Sequence, residues 1–374
     1  MRVAIVGAGI AGLATAWSLA KRGEDVTLFE QGSIPNPRSA SGDEHRLMRR
    51  AYGDADRYSG LVTEAIDAWD ELWTDLGQSH YADRGVLAIN QFPNDGGSAF
   101  CASLDRGGYH YETYSPKEAA ERHPFLDPGT FRHAYYSPEG GALLCQRIGA
   151  GIAGLLQCNG ATLRPHTRIQ AVDAARGVVT LDGGEQLEFD RVVVTAGAWT
   201  LKLFPDLAQS LTLCRTAVVY VEPPSHLRDA WLAAPAIQNT GGIIAGYVLP
   251  PADGTGLKFA AGVNKRLAFD PDANRDPAPG EGERLRDLFS APFGNVQDYA
   301  VQKVVTCAYA FTEDHRFFCA PMGRTVVVSA CSGHGYKFGA AVGRRIADGV
   351  VSGDVALLTR WLRAEEPASR AAAA

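Results

Sequence analysis

The stretch Gly7-Ala8-Gly9-Ile10-Ala11-Gly12 carries glycines at the spacing that lets a backbone close on a pyrophosphate. Gly7 permits a tight turn, Gly9 leaves room for the phosphates, and Gly12 lets a following helix pack closely on a sheet. The free N–H groups and dipole of that helix then face phosphate charge. Glu30, eighteen positions after Gly12, can accept hydrogen bonds from ribose hydroxyls. The elements needed to place these residues are present. Arg2-Val3-Ala4-Ile5-Val6 is a short β-branched run, Ala11 to Ala20 is helically periodic, and Val26-Thr27-Leu28-Phe29 is a second apolar run ending on Glu30. Strand, turn, helix, strand and acid in this order predict a dinucleotide site, where a bare glycine turn would not. The fingerprint does not separate FAD from a nicotinamide.

The 374 residues are long for one core and read as two domains, or one with an insertion. Apolar content of 46% and charged content of 21% are those of an ordinary globular protein. A net charge of −6 argues against nucleic acid and against a polybasic membrane surface. The first strand begins at Arg2, so no signal peptide and no membrane span are expected, and a cytoplasmic, reducing compartment is. Seven cysteines without C-x-x-C spacing give neither a disulfide framework nor a zinc site. His80, His110, His123, His133, His166 and His226 lack partners at metal-ligand spacing, so no metal is expected.

Beyond Glu30 lies a loop rich in turn formers, Gln31 to Gly42, and then a charged patch from Asp43 to Gly53. Leu61, Ala65, Ile66, Trp69, Leu72, Trp73 and Leu76 recur at helical spacing over Tyr58 to Leu76, a core-facing stripe. Strands are expected at Gly85 to Ile89, Ala217 to Val221 and Ile243 to Tyr247, and helices at Pro116 to Arg122, Leu143 to Leu156 and Gly280 to Leu288. Short strands near 161–164, 167–173, 177–182 and 186–188 form a β-meander. It leads into the apolar strand Arg191 to Thr195 and the turn Ala196-Gly197-Ala198-Trp199. The buried strand Thr325 to Ser329 runs into Ala330-Cys331-Ser332-Gly333-His334-Gly335, a helix follows from Phe338 to Val350, and Ala364 to Ala374 reads as a frayed tail. Nucleotide-binding elements thus fall at the start, middle and end of the chain. The expected architecture is α/β, a Rossmann-like FAD-binding domain interleaved with an antiparallel-sheet α+β substrate domain. The first comprises 1–80, 140–210 and 320–374, the second 81–139 and 211–319.

Three separated motifs are informative together: Arg46-Leu47-Met48-Arg49-Arg50-Ala51-Tyr52-Gly53, Cys307-Ala308-Tyr309 with Asp314-His315, and Ser332-Gly333-His334-Gly335-Tyr336-Lys337-Phe338. With Gly256-Leu257-Lys258 and Ala196-Gly197-Ala198-Trp199, the chain resembles the monomeric sarcosine oxidase and N-methyltryptophan oxidase family, amine-oxidising flavoproteins of the D-amino-acid-oxidase-like superfamily. The resemblance spans nearly the whole chain. It implies FAD joined through a cysteine thioether, and Cys307 matches that position. Arg49 and Lys337 match the two cations that hold a substrate carboxylate. A planar guanidinium grips a carboxylate bidentately, and a lysine adds a point charge. Lys258 matches the cation that holds a water beside the flavin and assists oxygen, whose reduction develops negative charge. Tyr309 is a pocket wall or donor. Arg46, one helical turn from Arg49, is a candidate for a place over the flavin, and His45 stands where the family has a threonine. Gly333, His334 and Gly335 form a loop whose N–H groups, with the following helix dipole, can face the flavin pyrimidine ring.

Some positions depart from the family. Basic residues near its flavin become Gly42 and Gly262, a pocket tyrosine is replaced around Ala245, and the loop Val248 to Gly256 is slightly longer. These changes leave the carboxylate clamp but argue for an amino acid larger than sarcosine. The expectation is an oxidase of a secondary amino acid (N-alkyl or cyclic), yielding an imine and hydrogen peroxide, with oxygen as co-substrate and the chain a monomer or small homo-oligomer. The alternatives are a flavin-dependent amino-acid dehydrogenase and a tailoring enzyme that desaturates a cyclic imino acid. A nicotinamide-binding or non-catalytic nucleotide-binding protein is the reading from another class.

Overall fold

The computed structural model describes residues 1–52, 57–240 and 244–365. A six-stranded sheet has the order Phe318–Met322, Thr325–Ser329, Arg191–Val194, Arg2–Val6, Asp25–Phe29 and Thr162–Arg164. All its neighbours are parallel except the antiparallel edge strand Phe318–Met322. Its inner strands Arg2–Val6, Arg191–Val194 and Thr325–Ser329 are buried and mostly apolar on both faces, as a sheet covered on both sides requires. Val3 and Ile5 pack against the helices Ile10–Lys21, Ser59–Leu76 and Gly339–Ser352, while Ala4 and Val6 face the meander strands Ile169–Asp173 and Val178–Leu181. From Arg2–Val6 the chain pairs with Asp25–Phe29 on one side and Arg191–Val194 on the other. That reversal opens a crevice at the carboxyl ends of the strands, where open α/β sheets bind ligands. Gly7, Thr195 to Gly197 and Ala330 to Cys331 all follow parallel strands and so share that edge.

The second large sheet is mixed. The long pair Thr212–Glu222 and Ala300–Phe311 is antiparallel, and Leu257–Ala261, Gly246–Leu249, Ala236–Thr240, Val86–Asn90 and His133–Ser137 continue it. Leu257, Phe259 and Ala261 point into an aromatic core with Trp231, Phe289 and Phe293. The alternate residues Tyr220 and Ala260 form a small cluster with Tyr247 on the opposite face. His45–Arg49, Gly140–Leu144 and Tyr81–Asp83 form a separate three-stranded antiparallel sheet. No helix among the described residues is long and apolar enough to cross a membrane.

Several expectations need correction. The charged patch contains a strand, His45–Arg49, so Arg46 and Arg49 are not one helical turn apart. Leu143 and Leu144 belong to a buried strand, and the helix begins at Cys145. Thr162–Arg164 leaves the meander to become the edge of the parallel sheet. The strand expected from Ile243 begins at Gly246, with Ala245 left-handed at φ 48° and Ile243 outside the described residues. Gly53, the last residue of the arginine-rich motif, and the tail beyond Glu365 also lie outside them.

Candidate active site

A cavity of about 550 Å³ runs along the strand ends from Gly7, Gly9 and Glu30 to Cys331, Gly333, His334, Gly335 and Lys337. At its first end the backbone makes the site. Gly7 has φ 103°, a conformation side chains rarely adopt, and a Cβ on Gly12 would stand 1.9 Å from the Gly7 carbonyl oxygen. The close approach brings the helix Ile10–Lys21 down on the strand, with no side-chain cap from Gly9. Glu30 is buried and braces the turn, its Oε2 accepting from Ala8 N at 2.9 Å and its Oε1 from Asn36 Nδ2 at 2.9 Å. In the middle, Gly197 and Trp199 line the wall, and Trp199 Nε1 is held by Asp272 at 3.1 Å.

At the other end side chains make the site. Lys337 follows the glycine loop in a short 3-10 turn and is 6% exposed. Its Nζ donates to Tyr52 Oη at 2.8 Å and to the His334 carbonyl at 3.1 Å. Arg49 ends the strand His45–Arg49 and donates from Nη1 to Gln238 Oε1 at 2.6 Å. Its guanidinium lies 5.1 Å from the centre of the Tyr52 ring, and its buried Nε has no hydrogen-bond partner among the described residues. Neither cation has a carboxylate partner among the described residues. Burial, and then the neighbouring Arg49, hold the Lys337 ammonium well below the ordinary lysine range, and burial lowers Arg49 too. His334 is neutral, pushed down to about 3 by burial and then by Lys337. It stacks on Phe317 at 4.8 Å and bonds the His315 carbonyl at 3.0 Å, which fixes the loop.

A second pair of cations, Arg46 and Lys258, is arranged differently. Lys258 is wholly buried on the strand Leu257–Ala261, beneath the cavity wall, with its Nζ 5.8 Å from the ring centre of the wall residue Tyr247. Lys258 Nζ donates to Asp43 Oδ2 at 2.9 Å and to the His45 carbonyl. Arg46 also pairs with Asp43, and reaches Tyr309 Oη at 3.4 Å and Cys307 Sγ at 3.9 Å from Nη2. Cys307 and Tyr309 stand on one face of the strand Ala300–Phe311, and Cys307 is buried. Burial raises the Asp43 pKa, but Lys258, Arg46 and the Tyr220 hydroxyl outweigh it and keep the carboxyl well below its usual range. His45 is buried and held neutral, down to about 3, first by burial and then by Lys258.

A family model described as FAD dependent oxidoreductase matches residues 2–349. The chain belongs to this family. It is 26% identical over 368 residues to monomeric sarcosine oxidase of Bacillus sp. (strain NS-129), covering 94% of this chain and 93% of that one. It is 27% identical over 359 residues to N-methyl-L-tryptophan oxidase of Yersinia pestis (strain Pestoides F), covering 91% of this chain and 92% of that one. Its fold superposes on the open form of NikD, an unusual amino acid oxidase essential for nikkomycin biosynthesis, with TM-score 0.78 at 23% identity over 96% of both chains.

FAD, the group of this family, fits the residues present. The cavity runs from the glycine turn to the 331–337 loop and joins a backbone cradle for phosphates to a polar, cationic end. The structure gathers Arg46, Arg49, Tyr309, Gly333, His334, Gly335 and Lys337 on the cavity with Gly7, Gly9, Glu30, Gly197 and Trp199. Gly12, Cys307 and Lys258 stand behind its lining. Residues without a sequence-based role prove central: Tyr52 between the two free cations, Gln238 on Arg49, and Asp43 between the two paired ones. Tyr52 lies within the arginine-rich motif Arg46 to Gly53. Asp43 carried no signal beyond being one charge in a charged patch.

Proposed function

We propose that this FAD-dependent oxidoreductase oxidises an α-amino acid with a secondary amine, giving an imine that water hydrolyses and hydrogen peroxide. The observation that carries the reading is the half-buried Arg49 and the buried Lys337 facing one cavity, neither with a carboxylate partner among the described residues. Buried charge is costly unless paired, so the site is built to take an anion from outside. The substrate carboxylate docks on Arg49 and Lys337, and Tyr52 and Gln238 hold those two donors in place. Two cations next to the bound amine favour its neutral form, so the substrate amine loses its proton without a side-chain base. FAD, held by the glycine turn and the 331–337 loop, would supply the two-electron acceptor for the hydride equivalent, with oxygen as the final acceptor. Cys307, with Arg46 beside its sulfur, would hold the cofactor covalently. Lys258 supplies positive charge near the reaction of oxygen, from behind Tyr247. Phe100, Ala245, Gly246 and Tyr247 line the same cavity, a mixture of small and aromatic residues that suits a side chain larger than that of sarcosine. Strands drawn from 1–80, 140–210 and 320–374 make up most of the parallel sheet and those from 81–139 and 211–319 most of the mixed one, which supports reading these segments as cofactor and substrate domains.

A peroxide-coupled screen of N-methyl, cyclic and primary amino acids against matched amines lacking the carboxylate tests this. Peroxide should form with the secondary amino acids and not with the amines. Turnover of the amines at equal efficiency would overturn the reading. Reduction of an artificial acceptor without peroxide would select the dehydrogenase, which the Asp43–Lys258 ion pair favours as the second reading. A product two mass units lighter, still cyclic, would select the desaturating enzyme. Colour should stay in the acid-precipitated pellet and move to the supernatant in Cys307→Ser. Colour in the wild-type supernatant would exclude the thioether.

A further inference from the structure

We infer that Asp43 is a positioning residue that masks the Lys258 charge and thereby restrains the reaction of the reduced enzyme with oxygen. The inference rests on the reading of Lys258 as the cation that assists oxygen. Asp43 is 3% exposed, and each of its carboxylate oxygens is engaged. Oδ2 receives Lys258 Nζ at 2.9 Å and also pairs with Arg46, while Oδ1 receives Tyr220 Oη at 2.6 Å and the Glu44 backbone N–H at 2.9 Å. Tyr220 lies opposite Lys258 in the sheet register, so one strand pair delivers both the cation and the hydroxyl to this carboxylate. His45, beside Lys258, is neutral and adds only its backbone carbonyl, and Arg46 further meets the Ala40 carbonyl, Tyr309 Oη and Cys307 Sγ but no second carboxylate among the described residues. Asp43, Arg46 and Lys258 therefore sum to one net positive charge where two would stand without Asp43.

Oxidation of the reduced cofactor moves two electrons and two protons to oxygen and yields hydrogen peroxide. The first electron puts negative charge on oxygen, and a fixed bare cation lowers that barrier. A carboxylate in contact with the ammonium turns its field into that of a dipole, which falls off faster across the wall to the cavity. The same contacts keep Lys258 from swinging toward the cavity. Asp43 thus stabilises two buried cations and costs reactivity with oxygen.

The test uses reduced holoenzyme mixed with oxygen in stopped flow, and the midpoint potential of the bound flavin, for Asp43→Asn, Asp43→Ser, Lys258→Met and the two double variants. Serine leaves room for water if asparagine packs poorly, and the double variants remove the ion pair as a unit. The rate constant with oxygen should rise about tenfold in both Asp43 variants, less than the roughly 10²- to 10³-fold of a donor in direct contact with a developing oxyanion, because Lys258 acts from behind the cavity wall. The potential should become more positive on either background, because Asp43 carries one negative charge in both, whereas the gain in oxygen rate should vanish on the Lys258→Met background. An unchanged or lower rate in the Asp43 variants, with Lys258→Met slow, overturns the inference and leaves the Lys258 reading intact. A normal oxygen rate in Lys258→Met overturns that reading and the inference together.

Discussion

Two pairs of cations, on or just behind the cavity wall, differ in one respect. Arg46 and Lys258 share a buried carboxylate, Asp43, whereas Arg49 and Lys337 share only the neutral Tyr52 and lack a carboxylate among the described residues. The paired set is complete as folded. The unpaired set carries positive charge that nothing among the described residues offsets, and it faces the cavity, which is why the proposed ligand is a carboxylate. The position of a cation in the sequence did not separate the two sets; the location of the nearest acid did.

Arg49→Met should give the largest effect. Loss of a desolvated partner of the substrate carboxylate costs about 2–5 kcal/mol, on the order of 10²- to 10³-fold in kcat/KM. A loss smaller than tenfold would place the carboxylate elsewhere. Stability should move in opposite senses for the two sets. Lys258→Met leaves Asp43 with one cation fewer and should lower the unfolding free energy by about 3 kcal/mol, the scale for breaking a buried pair. Lys337→Met removes an uncompensated charge and should leave Tm unchanged or raise it. Thermal unfolding of both holoproteins checks this, and equal losses would erase the distinction.

The next effect is on pH. Lys337 binds a carboxylate only when protonated, and burial lowers its pKa well below the ordinary lysine range. Affinity for substrate should therefore be full at lower pH and fall as pH rises through that depressed value, so KM climbs before an ordinary lysine would titrate. A bound carboxylate raises the same pKa, so kcat should hold to higher pH than kcat/KM. The smallest effect concerns His334. It is already neutral above about 3, so His334→Asn should leave the pH profile between about 5 and 8 unaltered. A lost inflection near 6.5 would show that His334 titrates in turnover.

The nucleotide end was legible because its requirements are local. Gly7, Gly9, Gly12 and Glu30 lie in one strand–turn–helix–strand unit, and each spacing answers to backbone geometry. The reactive end draws on five separated segments, so its partners come together only in three dimensions. Resemblance to a family named Arg49, Lys258, Cys307 and Lys337, but not the acid that separates the two cation sets. The strand His45–Arg49 was misjudged because three intervening steps between arginines fit a helical turn as readily as they fit opposite faces of a strand. The helix Gly96–Gly107 escaped notice because it opens on two glycines. Its start is fixed by Asp95, whose carboxylate accepts from Gly97 N at 2.9 Å and Ser98 N at 3.3 Å.

The central claim is that Arg49 and Lys337 exist for a substrate carboxylate. It is tested most directly by kcat/KM for the best amino acid of the peroxide screen against its own primary carboxamide, in wild type and in Arg49→Met/Lys337→Met. The account predicts a preference for the acid on the order of 10³-fold in wild type that collapses in the double variant. Equal efficiency for acid and amide in wild type would contradict it.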